Sequence, residues 1–353
     1  MAQIIGLGTA LPPHHMPQPV VKRLAIDYFR DHIPHIGRMA AVFEHAEIDS
    51  RYFVVPMAWW EAERHTMRER NEVYLKEAVA LIHEAIQKAL DAAGVKAQEV
   101  DNLIVVSSSG IATPSLDARV MNTLHMRSNV RHTPIWGLGC AGGVAGLARA
   151  AEMGRAYPGS ITVLAAVETC SLTFLADDYS KKNFIATALF ADGAAAAVLA
   201  GDDLSVEGRG PAVIDSMSTL WPDSLGIMGW NVVDTGLEVL FGAEIPRYAA
   251  TLFRPEVDCF LGKHGLSVDD IGHFVFHPGG AKVLDSLEGA LERPAGFLGG
   301  AREVLRQFGN MSSVTVLFVL DYVLAKERPK RGAWGLTTAL GPGFSAEQIL
   351  LHF

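Results

Sequence analysis

Cysteine is scarce in this sequence: Cys140, Cys170 and Cys259 are the only three in 353 residues. They show no CxxC spacing and cannot all pair, which argues against a disulfide framework and fits free thiols in a reducing, cytoplasmic setting. Long apolar runs are also missing, and none approaches the length needed to span a bilayer. The N-terminal MAQIIGLGTALPP has neither the basic start nor the apolar stretch of a secretory signal. Positive charge is in deficit, with 30 Lys and Arg against 39 Asp and Glu and a formal net charge of −9. Such a surface gives no general attraction to nucleic acid or anionic membranes. Nucleotide-loop motifs are absent too: GLGTALPP lacks the Lys-Ser/Thr of a phosphate loop and the third Gly of a dinucleotide loop. No metal-ligand spacing is seen. What is present, 49% hydrophobic and 20% charged residues, is the composition of one large two-lobed globular domain or two smaller ones.

Short apolar runs alternate with helix-like segments, which points to a layered α/β architecture. The stretch EVYLKEAVALIHEAIQKALDAAG reads as a helix, with Leu75, Val79, Ile82, Ile86 and Leu90 at three- and four-residue steps and Gly94 as its stop. NLIVVSSSG, ITVLAAVE and HFVFH read as buried strands. IATALFADGAAAAVLAG (185–201) and LTTALGPGFSAEQILLHF (336–353) share an order of Ala-Leu, glycine turn and apolar strand, so each is expected to form a closing β-hairpin. The echo suggests two related halves, 1–205 and 206–353.

Three residues could carry chemistry. Cys140, in IWGLGCAGGVAGLARA, sits where a strand turns into a helix. There, unpaired N–H groups and the macrodipole stabilise a thiolate, and Gly139, Gly142 and Gly143 permit a sharp bend and a close approach by substrate or a second helix. A buried packing thiol fits the same stretch equally well. His277 ends the strand HFVF and precedes a rigid Pro-Gly-Gly turn, a position suited to a pocket. His14, His15, His32, His35 and His132 lie in polar or irregular stretches and are expected to face solvent. Asn310 stands at the start of the apolar helix expected over Val314–Leu324. Taken singly it is a helix cap; with the other two it is a side-chain amide available to a developing negative charge.

At these segments the sequence resembles the thiolase superfamily, and within it the type III polyketide synthases, which are chalcone-synthase-like. FHPGG, GNMSS and GPGF match that family's signature segments in order and spacing, and ALFADGAAA and TPSLDARVMN extend the similarity over nearly the whole chain. Ketoacyl-ACP synthase III enzymes share the Cys-His-Asn set, but there Gln-Ala-Asn typically follows the histidine. The resemblance implies a duplicated α/β/α/β/α five-layer fold, a homodimer and no bound cofactor or metal, with CoA thioesters as substrates. It implies that Cys140 takes the starter acyl group and that His277 sustains the thiolate as an ion pair. His277 and Asn310 then assist malonyl-CoA decarboxylation and condensation. Phe190 matches a family gatekeeper between CoA tunnel and cavity, and Cys170, Thr173, Ser312, Gly341 and Pro342 fall in the segments around the substrate.

The resemblance is nearest to bacterial enzymes that make alkylpyrones and alkylresorcinols from fatty acyl-CoA starters. An enzyme using malonyl-CoA alone or an aromatic starter is the alternative. Val239 falls where plant members usually carry a second gatekeeper phenylalanine, which is expected to open the pocket. Cys170 and Ser171 replace the usual Thr and Ala, and Ala339-Leu340 precede the conserved-type glycine turn. Arg38 and the basic run AKERPKRG (325–332) are candidates for the CoA phosphates.

Overall fold

A nine-stranded mixed sheet runs through the chain; the computed structural model describes residues 2–62, 64–204 and 210–353. From one edge its strands are Arg131–Ile135, Asn102–Val106, Ile161–Thr169, Asp192–Ala200 and Gln3–Ala10. It continues through Ala212–Leu220, Ser345–His352, Trp334–Gly341 and Ile271–Phe276. The seam between the two sets is one register pair, Gln3 with Ala212. The expected division at 205/206 lies outside the described residues.

Both sets follow one plan. Asn102–Val106 runs parallel to Ile161–Thr169, which is antiparallel to Asp192–Ala200, which is antiparallel to Gln3–Ala10. Likewise Ile271–Phe276 runs parallel to Trp334–Gly341, then antiparallel to Ser345–His352 and Ala212–Leu220. The helix preceding the second strand of each set, Gly142–Ala156 or Thr315–Tyr322, packs on strands of both sets and on its counterpart. The two parts of the sheet therefore face each other across a central helical layer. Met67–Ala93 covers the outer face of the first set, and Ile245–Gly262 with Ala281–Ala290 forms the layer beyond the second. This is the expected five-layer arrangement.

The helix Met67–Ala93 starts on a Thr66/Glu69 capping box and stops at Gly94, whose φ of 68° only glycine adopts freely. Ile82, Ile86 and Leu90 are buried as expected. Leu75 and Val79 are only half-buried, because the stripe facing the sheet continues through Tyr74, Ala78, Ala85 and Ala89. The reason is proximity: a Cβ on Gly6 or Gly8 would lie 2.3 Å from the carbonyl oxygen of Ala89 or Ala85. The N-terminal Gly-Leu-Gly thus seats a helix. Of the two expected hairpins only the second forms, from Trp334–Gly341 and Ser345–His352. In the first segment Lys181–Leu189 is helix, started by Ser180, whose hydroxyl accepts the Asn183 N–H. That cap, with the helix-favouring Lys181, Lys182, Ala186, Ala188 and Leu189, outweighs the glycine-turn signal.

Candidate active site

Cys140 lies in the 3-10 turn Gly139–Ala141 that feeds the helix Gly142–Ala156. The glycines beside it are filled by protein. A Cβ on Gly143 would stand 2.1 Å from the Ser313 carbonyl oxygen, and one on Gly142 2.6 Å from Val106 Cγ1. Of the two expected uses, close approach of a second segment is the one realised at these positions. Gly341 does the same from the other side: its Cβ would meet Ala141 Cβ at 2.5 Å, and Pro342 packs against Gly139. Gly341 and Pro342 thus buttress the cysteine turn, while Leu340 lines the cavity beside it.

His277 follows the strand Ile271–Phe276 directly and is tied by its N–H to the Thr338 carbonyl at 2.9 Å. The Pro-Gly-Gly turn then exposes the Gly279 carbonyl, which accepts from Asn310 Nδ2 at 3.1 Å. Asn310 Oδ1 accepts the Ser312 N–H at 2.8 Å, a local turn in the manner of a cap. The helix proper starts only at Thr315, after the 3-10 turn Ser312–Val314. Asn310 therefore links its own turn to the histidine turn and retains a second amide hydrogen. Ser312, at φ 49°, brings its hydroxyl within 3.6 Å of Cys140 Sγ. Cys140, His277 and Asn310 all line one small cavity, together with Met228, Phe241 and Leu340.

The site is dry. Burial pushes the Cys140 thiol up to about 11 and the His277 imidazolium down to about 3. Each group alone is therefore neutral at physiological pH. Separated charges are disfavoured here, so a thiolate–imidazolium pair requires proton transfer from one group to the other, which leaves the net charge unchanged. Both ring nitrogens of His277 are buried without a hydrogen-bond partner in the protein. Glu168, which the sequence reading did not single out, is fully buried behind the cysteine turn. It accepts from Ser313 Oγ at 2.6 Å and the Ser108 N–H at 3.0 Å, and burial pushes its carboxyl up to about 7. Among the described residues no group of three or more His, Cys, Asp or Glu could hold a metal ion.

Phe190 stands beside this cavity, its ring centroid 6.4 Å from those of Phe241 and Trp230. Beyond it opens a cavity of about 440 Å³. Cys170, Ser171, Thr173 and Val239 line it, as do Trp230 and Arg51. Its outer wall comes from the helix Gln18–Phe29 and from Met57 and Trp60. Phe241 and Trp230 lay outside the sequence expectations. Val239 and Phe241 share one face of Gly236–Phe241, so an aromatic ring is retained two residues from where one was missing. Arg38 is exposed on the short helix Ile36–Met39, and Lys326, Arg328, Lys330 and Arg331 are exposed as well. None of these lines either cavity. His15, His32, His35 and His132 face solvent as expected, while His14 is half-buried.

The chain matches the family models of chalcone and stilbene synthases, the N-terminal domain over residues 1–203 and the C-terminal domain over 212–353. It is 38% identical to a putative chalcone synthase of Bacillus subtilis, covering 100% of this chain and 99% of that protein. It is 39% identical to the 1,3,6,8-tetrahydroxynaphthalene synthase of Streptomyces peucetius, covering 99% and 93%. The crystal structure of 1,3,6,8-tetrahydroxynaphthalene synthase from Streptomyces coelicolor A3(2), a bacterial type III polyketide synthase, superposes with a TM-score of 0.94 at 30% identity, covering 99% of each chain. With both halves matched and the fold shared, the chain belongs to the chalcone and stilbene synthase family and is a type III polyketide synthase, a condensing acyltransferase that uses malonyl-CoA.

Proposed function

We propose that this synthase loads a long-chain fatty acyl group from CoA onto Cys140, extends it with malonyl-CoA, and releases triketide or tetraketide alkylpyrones or alkylresorcinols. The observation that carries this reading is the 440 Å³ cavity beyond Phe190, walled by Val21, Leu24, Phe29, Phe53, Met57 and Trp60. Its size falls in the roughly 300–1,000 Å³ range of small-molecule pockets, and its lining suits an alkyl chain better than a polar starter.

In this mechanism Cys140 passes its proton to His277 as sulfur attacks the acyl-CoA carbonyl. The tetrahedral adduct collapses to the acyl-cysteine, and CoA leaves as its thiol with the proton from His277. Malonyl-CoA then places its thioester oxygen between an N–H of the His277 ring and Asn310 Nδ2. The bond to the carboxylate breaks, carbon dioxide departs, and the electron pair forms an enolate that these donors stabilise. The enolate carbon attacks the acyl-cysteine carbonyl, a carbon–carbon bond forms, and Cys140 leaves. Apolar rings at Phe190 and Phe241 strip water from the malonyl carboxylate and favour its loss. The partnerless nitrogens of His277 support this role.

The two halves act together here, the first bringing the nucleophile and the second His277 and Asn310. The enzyme is also proposed to work as a homodimer; sedimentation reading a single 38.0 kDa chain would contradict that. Incubation with malonyl-CoA and acyl-CoA starters of graded length, followed by product mass analysis, tests the main reading. Alkylpyrones from long starters are expected. A product from malonyl-CoA alone would favour the second reading, a synthase making a polyhydroxylated aromatic, which the tetrahydroxynaphthalene-forming relatives support.

A further inference from the structure

Arg51 is fully buried, although its surroundings in the sequence, EIDSRYF, are polar and an arginine is mostly exposed. It lies on the short strand Ser50–Phe53, opposite Met16. Nη1 donates to the Phe190 carbonyl at 2.7 Å, and Nη2 donates to Gln18 Oε1 at 2.7 Å. Gln18 in turn donates from Nε2 to the Ala188 carbonyl at 2.9 Å. Two carbonyls around the gate ring thus depend on one guanidinium–amide pair. The stem of the same arginine presses on Gly309: a Cβ there would lie 2.6 Å from Arg51 Cγ. Gly309 is the residue before Asn310.

The two segments that Arg51 touches are themselves laced together. The Asn310 N–H donates to the Leu189 carbonyl and the Ala191 N–H to the Asn310 carbonyl, both at 2.9 Å. One side chain therefore holds the backbone of both the aromatic gate and the amide donor. A buried cation is a poor way to stabilise a fold, since apolar residues of similar volume often serve as well or better. Asp192 offsets the charge of Arg51, and its oxygens are held by the Val54 N–H and by the N–H and hydroxyl of Ser171. A planar fork reaching two separate acceptors is a geometry that lysine cannot reproduce.

We propose that Arg51 is a positioning residue for the extension step: it fixes the spacing between the Phe190 ring and the Asn310 amide. This rests on the reading of Asn310 as the enolate donor. Loading of Cys140 depends less on that spacing: Arg51 hydrogen-bonds neither the cysteine turn nor the histidine turn, and reaches them only through Asn310. The proposal separates two half-reactions that a loss of folding would impair together.

The test uses the full-length enzyme and its variants Arg51→Met, Arg51→Lys and Gln18→Met. Acylation of Cys140 by acyl-CoA is followed by intact-protein mass, and decarboxylation by carbon dioxide released from labelled malonyl-CoA. In Arg51→Met the decarboxylation kcat is expected to fall about 10- to 100-fold, while the maximal rate of acylation at saturating acyl-CoA falls by much less. A change in the acyl-CoA concentration needed is allowed, because Arg51 also lines the large cavity. Arg51→Lys should recover part of the loss, and Gln18→Met should shift the same step by less. Where Arg51→Met does not fold, the other two variants decide. Parallel loss of both half-reactions in them, or no change in either, overturns the proposal. Asn310→Ala is the control: decarboxylation that survives it would defeat the reading of Asn310 whatever the Arg51 variants do.

Discussion

Trp230 and Val239 stand directly opposite each other on the paired strands Met228–Val233 and Gly236–Phe241, and both line the large cavity. The volume that a small side chain at 239 opens is partly taken back by the indole across the strand pair. Trp230→Ala is therefore expected to shift the preferred acyl-CoA towards longer chains, and Val239→Phe towards shorter ones. Competition assays with mixed starters measure both. Unchanged preference in the two variants would show that the chain lies elsewhere.

Asn310→Asp keeps the oxygen that accepts the Ser312 N–H and replaces the donating amide with a carboxylate. The turn should persist while stabilisation of the enolate is lost. Removing one such donor lowers rates by about 100- to 1,000-fold, so malonyl-CoA decarboxylation should drop by that order. The thermal midpoint should fall as well, because the Nδ2 bond to the Gly279 carbonyl is lost in a buried turn, and decarboxylation is therefore compared on folded enzyme below that midpoint. A variant that still decarboxylates at the wild-type rate would remove Asn310 from the mechanism.

Glu168 gives stability a pH dependence of definite sign. Its folded value, about 7, lies above its ordinary 4.5, so the folded state holds the proton more tightly. The resulting stabilisation is complete below about pH 4.5, is lost as pH rises through 7, and amounts to about 3 kcal/mol. His277 works in the opposite sense: its folded value is lowered, and its stabilisation, present above 6.5, is lost as pH falls towards 3. The difference between wild type and Glu168→Gln isolates the carboxyl. Relative to the variant, the wild-type enzyme should lose thermal stability between pH 4.5 and 8. Parallel curves would contradict the assignment.

Gly143→Ala places a methyl 2.1 Å from a backbone oxygen, where no side chain can rotate aside. Overpacking of this kind costs about 1–3 kcal/mol. Because Ser313 adjoins Ser312 beside the sulfur, the variant should lose condensing activity along with stability. Denaturant unfolding and product assays on one preparation measure both. Gly159→Ala, with open space around it, should leave both unchanged.

Much of the site was legible because its chemistry-bearing residues occupy turns. Cys140, His277 and Asn310 each combine a reactive side chain with a local backbone signal, and the family's motifs join them. The strand runs were legible from their apolar composition. Trp230 was not, because its importance depends on which residue it meets across a hairpin, a matter of register. Arg51 was hidden by its polar neighbours, and only the tertiary fold shows it spanning two segments from different halves. Leu75 and Val79 misled for another reason: where a helix lies tightly on glycines, alanine marks the buried stripe better than the bulkier residues do.

Met228–Val233 and Gly236–Phe241 pair only with each other, apart from the nine-stranded sheet. Met228, Trp230, Val239 and Phe241 nevertheless reach the two cavities. Four residues lining the space proposed for substrate are thereby carried on one hairpin, while Cys140, His277 and Asn310 sit on turns at the ends of strands and helices of the main frame. On the proposed reading, exchange of that hairpin between relatives should retune the product without disturbing the reaction.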